Sequence, residues 1–150
     1  MISPPDFRAR SAARLAAVQA LYQHEMRGDA LPKLLTEFHH HRLGQEIEGA
    51  EYLAADEPFF DDVVGGVAAR QEELDAMISA ALAEGWSLNR LDRPMRALLR
   101  AAVYELVARA DVPAATVINE YVDVAHAFHD DKEAKFVNGL LDAVARKVRG

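Results

Sequence analysis

The sequence predicts an all-α fold, and three observations carry that expectation. Apolar residues recur with the helical period of 3.6 in several long stretches. No stretch sustains the period-two alternation of β-branched residues that a half-buried strand requires. Hydrophobic residues make up 51% of the 150 residues and charged ones 27%, a balance that supports a packed core and excludes wholesale disorder.

The first helix is expected from about Pro5 to Met26, with Leu15, Val18 and Tyr22 along one stripe and Ala17 and Leu21 beside it. Gly28 supplies a left-handed cap after it. A weaker helix follows over about Leu31 to Leu43, with Leu34, Leu35 and Phe38 inward. Residues 44–57 are acidic and poorly periodic, and read as a loop. A long helix spans about Pro58 to Glu84, with Pro58 in the first turn, where its missing N–H is harmless. Gly65-Gly66 in its middle costs about 1 kcal/mol per glycine relative to alanine. Close approach of another helix would explain the pair. Gly85 stops this helix, and Trp86 to Asn89 form a connector.

The cleanest pattern runs from about Asp92 to Ala110. Met95, Leu98, Leu99, Ala102, Val103 and Leu106 form its apolar stripe, and Asp92 is its expected N-cap. Pro113 opens a helix to about Phe128, with Ile118, Tyr121, Val122, Ala125 and Phe128 along its apolar stripe. The turn His129-Asp130-Asp131 leads to a last helix over about Lys132 to Arg149, burying Val137, Leu140, Leu141, Val144 and Val148. The expected architecture is a helical bundle in two halves of one domain, about 1–84 and 85–150.

Composition narrows the chemistry. There are no cysteines, which removes disulfides, thiolate metal sites and a cysteine nucleophile. Ser3, Ser11 and Ser79 lie in no nucleophile elbow, and Gly65-Gly66 lacks a following Lys-Ser or Lys-Thr. No catalytic function is expected. The N-terminal residues have neither a signal peptide's apolar run nor the length of a membrane span, which suits a cytoplasmic protein. Glu37-x-x-His40 and Asp123-x-x-His126 have the spacing of helical di-metal bundles, with Glu105 and Glu120 as further carboxylates. The bland alternative for these, and for the His39-His40-His41 run, is a solvated helix end. No metal or cofactor is expected.

The net charge of −7 conceals an asymmetry: residues 30–89 carry −9, while residues 1–27 carry +2 and residues 90–150 carry +1. Basic ends suit nucleic acid. Arg8, Arg10 and Arg14 cluster on the first helix, with Tyr22 two turns beyond Arg14. Arg93, Arg96 and Arg100 form an i, i+3, i+7 stripe, and Lys132 and Lys135 are bracketed by Phe128 and Phe136. Val137 already fills the inward stripe, which displaces Phe136 outward. Cations neutralise phosphates and aromatic faces stack on unpaired bases, a combination that favours single-stranded RNA over a duplex groove.

Four blocks of sequence resemble the NusB family of bacterial transcription antitermination factors. They are Ala13 to Gln23, Leu91 to Leu106, Asp111-Val112-Pro113 with Val117 to Glu120, and Lys135 to Asp142. They fall in the family's order and span nearly the whole chain. The resemblance implies two three-helix subdomains and no catalysis or cofactor. It also implies binding of boxA-type single-stranded RNA together with the ribosomal protein NusE, in an antitermination complex on RNA polymerase during ribosomal RNA transcription. Carried over residue by residue, the RNA surface comprises Arg10, Arg14, Tyr22, Phe128, Lys135 and Phe136, and more weakly Arg8, Arg100 and Lys132.

This chain departs from the family pattern in two places. Ser11-Ala12-Ala13 interrupts the first basic run, and Asp130-Asp131 brings carboxylates beside the expected phosphate track. Both predict weak RNA binding by the chain alone and reliance on a basic partner, with the acidic middle as the docking surface. The competing readings are an RNA-binding module like that joined to ribosomal RNA methyltransferases, a helical module that binds only proteins, and a metal-binding bundle.

Overall fold

A computed structural model describes residues 3–41 and 55–150. The expected loop at 44–57 falls almost wholly outside the described residues. Among the described residues, six α-helices carry the fold: α1 (Ser3–Arg27), α2 (Leu31–His41), α3 (Glu57–Ala81), α4 (Arg93–Ala108), α5 (Ala114–Phe128) and α6 (Asp131–Arg149), with a 3₁₀ turn at Leu88–Arg90. No strand occurs among the described residues.

The helix starts follow from capping chemistry. Asp56, Asp92 and Asp130 each accept a hydrogen bond from a backbone N–H three residues on, at Phe59 (3.0 Å), Met95 (2.9 Å) and Glu133 (3.0 Å). Each satisfies a donor that the first helical turn leaves open. Gly28 adopts φ 70° directly after α1, as its position requires. The third helix ends three residues before its expected stop. Leu82 turns extended (φ −74°, ψ 149°), and Gly85 (φ 89°) serves the following turn instead. The same helix kinks at Arg70.

Helix α4 is the hub, packing against α1, α3, α5 and α6. Every residue from Ala101 to Leu106 is buried. A helix surrounded on all sides loses its polar face, so its charged residues must find partners inside the protein. All six helices contribute to one buried cluster. Gly66 shows why the α3–α4 contact is so close. A Cβ there would lie 2.2 Å from the Tyr104 ring, and Tyr104 Oη donates across the contact to Asp62 (2.7 Å). No such contact explains Gly65, around which an added Cβ meets nothing.

The expected stripe of α1 is displaced. Ala13, Ala16, Ala17, Val18, Ala20 and Leu21 are buried, whereas Leu15 is 37% exposed and Tyr22 half-buried. The small alanines let α3 and α4 approach, and the larger Leu15 is left outside. Val148, expected in the core, is likewise exposed, while Phe136 lies outside the α6 stripe and Val137 inside it.

Candidate nucleic-acid interface

Four of the sequence-derived RNA candidates are arginines, and the fold separates them into two kinds. Arg14 is 2% exposed. Its guanidinium donates to both carboxylate oxygens of Glu105 (2.8 and 3.0 Å) and to Glu120 (2.9 Å). Tyr121 Oη donates to the same Glu105 (2.6 Å), and Ser11 Oγ to Glu120 (2.6 Å). Burial opposes the Arg14 charge, but the Glu105 and Glu120 carboxylates outweigh it and its pKa is raised. Burial and Glu105 push the Tyr121 phenol well above its ordinary value. Arg14 therefore ties α1 to α4 and α5, and its burial and pairing weigh against the expectation that it touches RNA.

Arg100 is engaged in a similar way. It donates to Asp75 (2.7 and 3.0 Å) and to Glu25 (3.1 Å), with only 12% of its side chain exposed. Arg96 grips the same Glu25 (2.7 Å) and Arg93 lies 3.7 Å from it. The apparent basic stripe of α4 is thus an inter-helix clamp on α1 and α3. Arg10 is partly exposed, but its guanidinium lies 4.6 Å over the Phe59 ring and pairs with Asp56 (3.4 Å) and Asp111 (3.6 Å). Part of the middle segment's acidity is used in the same way, because Asp56, Asp62 and Asp75 each answer an arginine of α1, α4 or the α4–α5 turn.

The remaining candidates are accessible. Arg8, Lys132 and Lys135 are exposed and have no ion-pair partner among the described residues. Arg8, Leu15, Gln19, Tyr22 and Met26 are spaced to share one face of α1. Arg8 and Tyr22 stand about 21 Å apart along the axis at 1.5 Å per residue. At the Tyr22 end, a groove of about 430 Å³ is lined by Gln19, Tyr22, Met26, Arg27, Pro94 and Phe128, among others. A second groove of about 540 Å³ holds Trp86, Arg90, Met95, Lys132 and Phe136, with Asp92, Asp130 and Glu133 on its walls. Pro94 lines the first groove and Asp92 the second, so the N-terminus of α4 stands between them. Phe128 is 42% and Phe136 36% exposed, so neither ring is spent in the core.

Sequence reading missed Trp86, which is 55% exposed with the Arg90 guanidinium 5.2 Å over its ring. The available signal was the position of the chain's one tryptophan in a connector rather than on a helical stripe. Of the residues in the di-metal alternative, Glu105 and Glu120 are occupied by Arg14, Glu37 accepts from Gln23 (3.2 Å), and His126 lies 3.5 Å from Asp131. His41 lacks a described side chain. No helix among the described residues is long and apolar enough to cross a membrane.

Residues 11–146 match the model of the NusB family. The chain belongs to the NusB family. A transcription antitermination protein NusB of Novosphingobium aromaticivorans is 66% identical over 142 residues, covering 95% of this chain and 96% of that protein. The NusB of Sphingopyxis alaskensis is 62% identical, with 95% of each chain covered. Among solved structures, T. maritima NusB is 33% identical with a TM-score of 0.76, over 94% of this chain and 93% of that one. A crystal structure of antitermination factors NusB and NusE in complex with dsRNA is 27% identical with a TM-score of 0.77, over 93% of this chain and 98% of that one. The all-helical fold and family expected from the four sequence blocks are borne out.

Proposed function

We propose that this chain is a transcription antitermination factor of the cytoplasm that binds boxA-type single-stranded RNA together with NusE, by contact alone and without catalysis. One observation carries the reading: Tyr22 of α1 and Phe128 of α5, distant in sequence, line the same groove. Arg8 lies on the Tyr22 face, and Lys132 and Phe136 line the neighbouring groove. The RNA-facing set is Arg8, Tyr22, Phe128, Lys132, Lys135 and Phe136, with Arg10 at its margin. This keeps the chain as one domain of two three-helix halves, about 1–84 and 85–150, joined where Arg96 and Arg100 clamp Glu25.

The carboxylates of Asp92, Asp130 and Glu133 beside Lys132 oppose phosphate, which keeps RNA affinity low without a basic partner. The test is fluorescence anisotropy of labelled boxA RNA, single-stranded and duplex, with and without NusE. NusE is expected to tighten binding to the single strand, and affinity to fall with added salt. Tyr22→Ala and Phe136→Ala each weaken binding by about 1–3 kcal/mol where the rings stack on bases. Equal affinity with and without NusE, together with alanine variants that bind like the wild type, overturns the proposal.

A further inference from the structure

We propose that Asp92, His129 and Glu133 form a binding site for one divalent transition-metal cation, between the N-terminus of α4 and the turn that joins α5 to α6. His129 Nε2 lies 3.2 and 3.3 Å from the two Asp92 carboxylate oxygens and 3.8 Å from Glu133 Oε2. One donor atom from each residue falls within 4.8 Å of the other two. An ion about 2.0–2.2 Å from each ligand holds its ligand atoms about 3–3.6 Å apart, so the side chains must draw in by up to roughly 1 Å to complete the set.

The histidine distinguishes this cluster from a group of surface acids. Its side chain is only 5% exposed, so the ring is already immobilised. Its Nδ1 is buried and has no hydrogen-bond partner among the described residues. The ring is thus oriented by no bond of its own other than those Nε2 makes to carboxylates. The carboxylates also stand on fixed backbone. Asp92 Oδ1 accepts from Met95 N (2.9 Å), and the Glu133 backbone N–H donates to Asp130 Oδ1 (3.0 Å). One helix terminus and the first turn of another therefore converge on a single point.

Ligand type selects the ion. One imidazole nitrogen with two carboxylate oxygens suits Zn²⁺ or Mn²⁺, whereas Mg²⁺ and Ca²⁺ prefer oxygen alone. A metal-bound imidazole ordinarily donates its second N–H to an acceptor. Nδ1 has none, so the site is weaker than a structural zinc centre. The ion's two positive charges balance the Asp92 and Glu133 carboxylates on the wall of the Trp86 groove, where Asp130 is a third.

The experiment is calorimetric titration of the full chain, free of any histidine tag, with Zn²⁺ and in parallel with Mg²⁺ at neutral pH. Zn²⁺ is followed at the His129 ring nitrogens by NMR. Other histidines bind zinc too, notably His39 beside Asp61 and His126 beside Asp131. Glu133→Gln and Asp92→Asn are therefore compared with Asp61→Asn as the control. Asparagine still caps a helix, so Asp92→Asn leaves α4 intact. The expected result is one Zn²⁺ event that moves the His129 signal and weakens tenfold or more in Glu133→Gln and in Asp92→Asn. Asp61→Asn and Mg²⁺ leave it unchanged. A His129 signal indifferent to Zn²⁺, or equal zinc affinity in wild type and Glu133→Gln, overturns the proposal.

Discussion

Replacing Arg14 by methionine separates a structural arginine from an RNA-binding one. The substitution keeps the apolar stem and removes the guanidinium, which leaves Glu105, 0% exposed, with only the Tyr121 hydroxyl. Breaking a buried pair by deleting one partner costs about 3–5 kcal/mol, because the survivor stays charged and desolvated. In a chain of 150 residues each kcal/mol moves Tm by about 2–4 °C, so Arg14→Met is expected to lower Tm by about 6–20 °C. Adding Glu105→Gln removes the stranded charge, and the double variant should recover about 1–3 kcal/mol of the loss, the range of coupling between contacting residues. Differential scanning calorimetry of the wild type, both single variants and the double variant closes the cycle. Below the melting transition, the salt slope of RNA binding by Arg14→Met should equal that of the wild type, since no phosphate contact was removed. A Tm within about 2 °C of wild type, or a salt slope reduced by one ion in the folded variant, refutes the assignment.

Three further outcomes follow from the same packing. Gly66→Ala improves helix propensity by about 1 kcal/mol but drives a Cβ to 2.2 Å from Tyr104; overpacking of about 1–3 kcal/mol and loss of the Tyr104–Asp62 bond win, and urea melts should show net destabilisation. For Glu25, burial is outweighed by Arg96 and Arg100, so its folded pKa lies below the ordinary 4.5; its contribution is full above pH 4.5 and lost as pH falls through the folded value. Glu25→Gln should therefore lower stability at pH 7 and flatten the acid limb of a stability-versus-pH curve. Arg149→Ala removes a guanidinium that donates to the carbonyls of Glu105, Leu106, Arg109 and Val112 at the end of α4, and should cost about 1.5–3 kcal/mol, read as faster amide exchange there.

The α6 stripe shows what is legible without coordinates. Val137, Leu140, Leu141 and Val144 repeat at helical spacing and are buried, and Phe136, one position out of phase, stands outside. Local periodicity decides such matters because the choice between inside and outside is made within one helix. The caps Asp56, Asp92 and Asp130 belong to the same class, and Asp92 was readable as one in advance. The displaced α1 stripe shows the limit of this reading. Alanines and leucines both fit a helical period, and only the distance to α3 and α4 selects which of them lies inside.

Family and helical class were thus determined by the sequence itself: the period of apolar residues and four ordered blocks depend on nothing beyond the chain. Which charges are free was decided by tertiary structure alone. Arg8 and Arg14 are six residues apart and chemically identical, yet one is exposed and the other lies between two carboxylates contributed by α4 and α5. Those carboxylates are distant in sequence, and the electrostatic environment of a side chain is set by whatever the fold brings within a few ångströms of it.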